Sequence, residues 1–156
     1  MISEQEQARI RLISDNELYP QAVEFMKNMG RPLPSTQING LLNVSLANTY
    51  QQLALFVKHQ GARKTWRGSE RHVEEFYRTK FPAKLKQLET YLPAVTCSRA
   101  EKASREDEQA IKMELAREFI QHLLAENAYK EAMGGFEFRQ EAPRGNQGSF
   151  RGEQRR

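Results

Sequence analysis

Histidines and carboxylates are the residues of this sequence that could carry acid–base or metal chemistry. The histidines are His59, His72 and His122, and none stands in an H-E-x-x-H or Cys/His metal pattern. His122 and Glu126 are four residues apart and could share a ligand on one helix face, although a surface hydrogen bond explains the same spacing. The sequence also lacks a glycine-rich phosphate loop after a strand and a nucleophile elbow. It therefore predicts a protein that is not an enzyme, with no catalytic residue, metal or cofactor.

Lysine and arginine are concentrated in residues 58–86. This block carries nine Lys/Arg against three Glu, a net charge of +6, whereas the whole chain carries +4. Such cations neutralise phosphates and release counterions, and Trp66, in a loop with glycines at both ends, could stack on a base. The alternative is a basic solvated surface with Trp66 as a core anchor. The predicted RNA-binding residues are Lys58, Arg63, Lys64, Trp66, Arg67, Arg71, Arg78 and Lys80.

The stretch Ser35–Val57 precedes this block and contains no charged residue. Its apolar residues fall mostly on helical spacing, which predicts one helix from Ser35 to His59 or Gln60, about 37 Å long. We expect Ser35 or Thr36 to cap it and the helix to be central to the domain. Its other side carries asparagines and glutamines, so we expect contact with protein or a ligand there. Six amides in one span argue against a transmembrane helix.

The remaining pattern is helical throughout, and we predict an all-α fold. The prediction is a single bundle of about five helices over residues 1–133, followed by a disordered Arg/Gly-rich tail over residues 134–156. An N-terminal helix is predicted over residues 3–29, interrupted at a capping box Ser14–Glu17. Three more helices are predicted over residues 69–80, 82–92 and 105–133. The second of these stops before Pro93, and the third is ended by Gly134-Gly135. The tail has five arginines and little to bury; an RNA role and a role in solubility both remain open.

The single cysteine, Cys97, cannot form an intrachain disulfide and fits a reducing compartment. The first residues, MISEQEQARIRL, are polar and of mixed charge, which is not typical of a signal peptide or a lipidation site. We therefore expect a soluble, cytoplasmic protein with no membrane partner.

Short motifs in this sequence resemble the small subunit of type III CRISPR effector complexes. Leu33-Pro34-Ser35-Thr36-Gln37-Ile38 is similar to the motif that opens the central helix of the III-A small subunit. The stretch from Phe119 to Lys130 before Gly134-Gly135 is similar to its last helix. Asn39-Gly40-Leu41 followed by Leu53-Ala54-Leu55-Phe56 is similar to the III-B subunit. Thus the III-A-like features are combined with some III-B-like ones, and the subtype stays open.

The resemblance implies a non-catalytic helical bundle in an antiviral ribonucleoprotein. Several copies would stack along the filament and bind the backbone of the guide–target RNA duplex, with the guide RNA reading the sequence. The implied partners are guide RNA, target RNA, repeat-type backbone subunits, the large subunit and copies of itself. The helix-opening motif is Ser35, Thr36, Gln37 and Asn39, but Asn39 stands where the III-A pattern has arginine, so that contact is not carried over. The alternative is a helical protein-interaction adaptor with no nucleic-acid role.

Overall fold

The computed structural model describes residues 1–64 and 70–141, with side chains as far as residue 134. Within these ranges all regular secondary structure is helical. Two π-helical turns, Ser14–Leu18 and Phe76–Lys80, and a 3-10 turn, Glu89–Tyr91, join neighbouring helices without a break. The helices are α1 (Glu4–Ile13), α2 (Tyr19–Met29), α3 (Ser35–Ala47), α4 (Tyr50–Ala62), α5 (Arg71–Glu75), α6 (Phe81–Leu88), α7 (Leu92–Thr96) and α8 (Arg105–Glu141). They form five continuous rods, α1–α2, α3, α4, α5–α7 and α8, which confirms the predicted all-α bundle.

Helix α8 is the element on which most of the bundle packs. It contacts α2, α3, α4, α6 and α7. Its side chains at Ile111, Leu115, Phe119 and Leu123 are fully buried, and their spacing of four residues places them on one face. The centre of the bundle is therefore α8 and not the uncharged stretch.

An aromatic cluster ties three rods together in the core. The rings of Phe76 and Phe81 stack with centroids 5.0 Å apart. Phe25 of α2 meets Phe76 and Phe119 edge to face, with centroids 5.8 Å apart in both pairs. Edge-to-face pairs of this kind add to the stabilisation that burial alone provides. The cluster therefore fixes the second π turn, Phe76–Lys80, against α2 and α8.

The uncharged stretch forms two helices, and the predicted single helix from Ser35 to residue 59 or 60 is wrong at Asn48-Thr49. Thr49 and Gln52 form a capping box: the Thr49 hydroxyl accepts from the Gln52 amide at 3.3 Å, and the Gln52 side chain accepts from the Thr49 amide at 3.0 Å. Because these bonds satisfy the first amides of α4, the chain can extend at Asn48 and start a new helix.

The predicted capping box at Ser14–Glu17 is also wrong. Ser3 and Glu6 form the N-terminal capping box instead, with bonds of 3.0 and 3.1 Å. Ser14 is buried inside the first π turn, where its hydroxyl donates to Glu118 at 2.8 Å and lies 2.7 Å from Nε2 of His122. A serine whose hydroxyl already has partners on another helix is not available as a cap.

Pro82 lies at the start of a helix, as predicted, whereas Pro93, predicted to follow the end of that helix, lies in the first turn of another. Pro82 is in the first turn of α6 and Pro93 in the first turn of α7, so the predicted stop before Pro93 is wrong. The first turn of a helix is the position that tolerates proline best.

Helix α8 also continues beyond its predicted end at Gly134-Gly135, as far as Glu141. Each glycine destabilises a helix by only about 1 kcal/mol relative to alanine, and this is not enough to end a helix as long as α8. The rest of the predicted tail, residues 142–156, lies outside the described residues. Among those described, no helix is both long and apolar enough to span a bilayer.

Candidate nucleic-acid interface

A groove of about 570 Å³ runs between α4 and α6. Its lining is largely apolar, with one tyrosine from α4 and one from the second π turn. Three cations and a single carboxylate complete the lining. The lining residues are Tyr50, Ala54, Val57, Lys58, Gly61, Tyr77, Arg78, Pro82, Leu85, Lys86 and Glu89. We call this the basic groove.

The second π turn places Arg78 in the basic groove. Nε of Arg78 donates to the backbone carbonyl of Gly61, and its guanidinium pairs with Glu74 one turn earlier. A Cβ at Gly61 would lie 3.0 Å from the Tyr77 carbonyl oxygen and 3.2 Å from Cγ of Arg78. The glycine is therefore what lets α4 approach this turn closely. π turns inside α-helices occur frequently at functional sites.

The carboxylate of the groove, Glu89, already has a partner. The Tyr50 hydroxyl donates to Glu89 at 2.7 Å, across from α4 to the 3-10 turn. Burial, and then the hydrogen bond to Glu89, raises the pKa of Tyr50 above its ordinary value, so the phenol stays a proton donor at neutral pH. This hydrogen bond holds Glu89 against α4.

The two lysines of the groove keep their ammonium groups available. Lys58 and Lys86 are exposed, and no hydrogen bond or ion pair links either ammonium to another residue in the described part of the chain. With Arg78 they place three positive charges, from α4, the π turn and α6, around one apolar floor. Converging cations of this kind attract a polyanion.

The predicted RNA-binding residues do not all lie on this groove. Lys58 and Arg78 line it. Arg63 and Lys64, just after α4, and Arg71, in the first turn of α5, are exposed but outside its lining. Lys80 lines a different cleft, against α2, and donates to the Asn28 carbonyl at 3.1 Å. The two remaining predicted residues, Trp66 and Arg67, lie outside the described residues.

The sequence prediction missed Lys86, Tyr50 and Tyr77 as groove residues. Lys86 belongs to the basic block but is not among the predicted residues, although it lines the same groove as Arg78. Tyr50 could not be assigned to a groove from the sequence, because the predicted helix ran through Asn48-Thr49 without the break that starts α4.

The helix-opening motif lies at the start of α3. Ser35, Thr36 and Asn39 are exposed and Gln37 is half-buried. The helix begins at Ser35 after Pro34, with no side-chain cap, so the predicted capping by Ser35 or Thr36 is wrong.

Asn127 fixes the entry to α3 from the opposite helix. Asn127 is 2% exposed; its Oδ1 accepts from the Leu33 amide at 2.7 Å and its Nδ2 donates to the Leu33 carbonyl at 3.1 Å. This pairing fixes the chain just before α3, because it satisfies both backbone groups of the residue before Pro34.

The exposed side of α3 and the start of α4 carries no charge. Asn39, Asn43 and Gln51 are exposed there, together with Leu46 at 56% and Leu55 at 52%. The amides therefore face outward and are not paired within a core. Depletion of charge around apolar residues is a property of protein–protein interfaces. We call this surface the uncharged face.

The histidine–carboxylate pair of α8 does not gather further metal ligands. His122 instead lies against Ser14 and meets the Tyr19 ring edge to face at 5.4 Å. No three His, Cys, Asp or Glu side chains in the described ranges are placed to hold a metal ion.

Comparisons with protein-family models, with curated proteins and with solved structures found no match to this chain. The class of protein is therefore defined by its architecture, a helical bundle with a basic groove on one side and an uncharged face on another.

Proposed function

We propose that this chain is a non-catalytic RNA-binding subunit that holds an RNA backbone in the basic groove. The observation that carries the proposal is the convergence of Lys58, Arg78 and Lys86 on one groove whose lining has a single carboxylate. Each lysine or arginine that neutralises a phosphate releases counterions, which supplies most of the affinity for RNA without reading its sequence. The predicted cations Arg63, Lys64 and Arg71 extend the same basic surface beyond the groove.

We further propose that the RNA belongs to a type III CRISPR effector complex, in which this chain is the small subunit. The two stretches that resemble that family, residues 33–38 and 119–130, are joined by the Leu33–Asn127 pair. They therefore form one structural unit, which supports reading them together. Target cleavage belongs to another subunit, and this chain positions guide and target RNA in the cytoplasm.

In this proposal the uncharged face is the surface for neighbouring subunits. It has exposed leucines and exposed amides, and amides can form hydrogen bonds across an interface without the desolvation cost of a charge. Copies of this chain, the repeat-type backbone subunits and the large subunit are the proposed occupants. Stacked copies would add avidity that one copy lacks.

The content of the native complex tests the CRISPR assignment. We expect an affinity-tagged chain, expressed from its own genome, to co-purify with a short RNA of defined length and with larger repeat-fold subunits. Ultraviolet crosslinking of that complex should attach RNA to peptides covering residues 50–62 or 76–89. Co-purification with proteins but no nucleic acid would instead support the adaptor hypothesis, which the uncharged face favours.

A further inference from the structure

A second cleft, of about 430 Å³, lies between α2 and α6 on the other flank of α6. It is separate from the basic groove, because the two share no lining residue. Its lining includes two lysines, one carboxylate and three side-chain amides. The lining residues are Gln21, Glu24, Phe25, Asn28, Lys80, Ala83, Lys84 and Gln87.

Lys84 is the unusual residue of this cleft. Its ammonium is partly buried and donates to two amide oxygens, Gln21 Oε1 at 3.0 Å and Gln87 Oε1 at 3.3 Å. It also lies 5.4 Å from the centroid of the Phe119 ring. No carboxylate in the described part of the chain forms an ion pair with it. The ammonium therefore has hydrogen-bond acceptors but no counterion, and a partly buried cation of this kind can bind an anion.

The surroundings of Lys84 supply a second cation and hydrogen-bond donors. Lys80 lies one turn earlier, where it donates to the Asn28 carbonyl and has Glu75 at 3.9 Å. Glu24 of α2 also lines the cleft, and Gln21 donates to the hydroxyl of Tyr91 at 2.6 Å, which Glu17 also contacts. Burial lowers the pKa of Lys84 below its ordinary value, which is the expected effect of removing an ammonium from water without a counterion.

We propose that this cleft is a phosphate-binding site in which Lys84 is the principal ligand and Lys80 the second. A compact ammonium on a flexible stem is a frequent phosphate ligand, and two ammonium groups one turn apart can address different oxygens of one phosphate. The side-chain amides of Asn28 and Gln87 offer additional donors at the same cleft. The phosphate is either that of an RNA strand or that of a small phosphorylated molecule. The site rests on its own residues and does not depend on the RNA-binding groove.

The direct test follows the Lys84 side chain by NMR in the full chain labelled with ¹³C-lysine. Inorganic phosphate replaces chloride at constant ionic strength, and a short oligouridine is the second probe. We expect the pKa of Lys84 to rise when at least one of the two probes, phosphate or oligouridine, is present, because a bound anion stabilises the charged form. A shift of about one unit corresponds to roughly tenfold tighter anion binding by the ammonium form. Lys102, exposed in the loop after α7, is the control that should not shift.

The outcomes separate the sources of the phosphate. A rise in both probes, or in oligouridine alone, supports a nucleic-acid backbone, and a rise in inorganic phosphate alone supports a small phosphorylated ligand. If Lys84 responds to neither probe, or only as much as Lys102 does, the proposal is overturned. Lys84→Met, which keeps the stem, should abolish the increase in Tm that phosphate gives over chloride, whereas Lys102→Met should keep it. The NMR measurement requires no variant, so it decides the question even if Lys84→Met does not fold.

Discussion

Nε of Arg78 donates a hydrogen bond to the backbone carbonyl of Gly61, the last-but-one residue of α4. This bond attaches the second π turn to the end of α4 and orients the guanidinium along the basic groove. It depends on close backbone approach, because a Cβ at Gly61 would lie 3.0 Å from the Tyr77 carbonyl. The geometry of the groove is thus fixed by a glycine that carries no side chain of its own.

Gly61→Ala should therefore open the groove. Alanine favours helix by about 1 kcal/mol over glycine, but the clash is with backbone and should cost more, giving a net destabilisation of about 1 to 2 kcal/mol. We expect RNA affinity to fall as well, since Arg78 loses its anchor. Urea unfolding and RNA-binding titrations measure the two effects.

Gly40→Ala is the matched control for this variant. Its Cβ would meet only Cζ of Phe56, at 3.9 Å, which is ordinary contact. It should stabilise the protein or leave it unchanged. Equal stability changes in the two variants would show that the approach at Gly61 is not tight.

Asn127→Leu should destabilise the protein by about 2 to 4 kcal/mol, because the amide and carbonyl of Leu33 would both lose their partner in a buried place. Chemical unfolding measures this change. Asn39→Leu, on the exposed side of α3, is the control and should change stability little. A small effect of Asn127→Leu would mean that the entry to α3 is held by other contacts.

Glu6 should make the free energy of unfolding depend on pH in the acidic range. It is 2% exposed and forms an ion pair with Arg99 at 2.8 Å. Hydrogen bonds from Arg99, followed by those from Ser3, outweigh burial and lower the pKa of Glu6 from 4.5 to about 2. Because the folded-state pKa is the lower one, this stabilisation is complete above the unfolded pKa and is lost as the pH falls from about 5 towards 2.

Glu6→Gln tests this linkage. At neutral pH the variant should be less stable than the wild type by on the order of 2 kcal/mol, since Arg99 loses the more buried of its two carboxylate partners and keeps only Asp107. The difference should shrink as the pH falls below about 4.5 and be largely gone near the folded-state pKa. Urea unfolding over this range measures it. A difference that stays constant with pH would contradict the assigned role of Glu6.

Helical periodicity in the sequence was sufficient to predict the core of this fold but not the residues of the basic groove. The stripe through Ile111 and Leu115 repeats every four residues, so α8 could be predicted from the sequence. The start of α4 was also readable, because Thr49 and Gln52 have the spacing of a capping box. It was missed because the uncharged run on both sides looked continuous.

The cations could not be sorted by sequence in the same way. Arg78 and Lys80 lie inside a π turn, where the extra residue per turn shifts every following side chain around the helix axis. A regular helical wheel therefore does not tell which of them joins Lys58. That assignment depends on tertiary packing, in particular on how closely α4 approaches at Gly61.

The most direct test of RNA binding in the basic groove is a pair of charge-matched double variants. Lys58→Gln with Lys86→Gln removes two groove cations that have no structural bond. Arg11→Gln with Lys102→Gln removes two exposed cations that do not line the groove. Both proteins lose the same net charge, so a difference between them reports position. Affinity for single-stranded RNA is measured by fluorescence anisotropy over a range of salt concentrations.

We expect the groove variant to bind RNA on the order of tenfold more weakly at low salt, with a salt slope shallower by roughly 1.4, since each lost phosphate contact on a single strand accounts for about 0.7. The control variant should keep nearly the wild-type affinity and slope. Equal, small effects in the two variants would contradict RNA binding in the groove between α4 and α6.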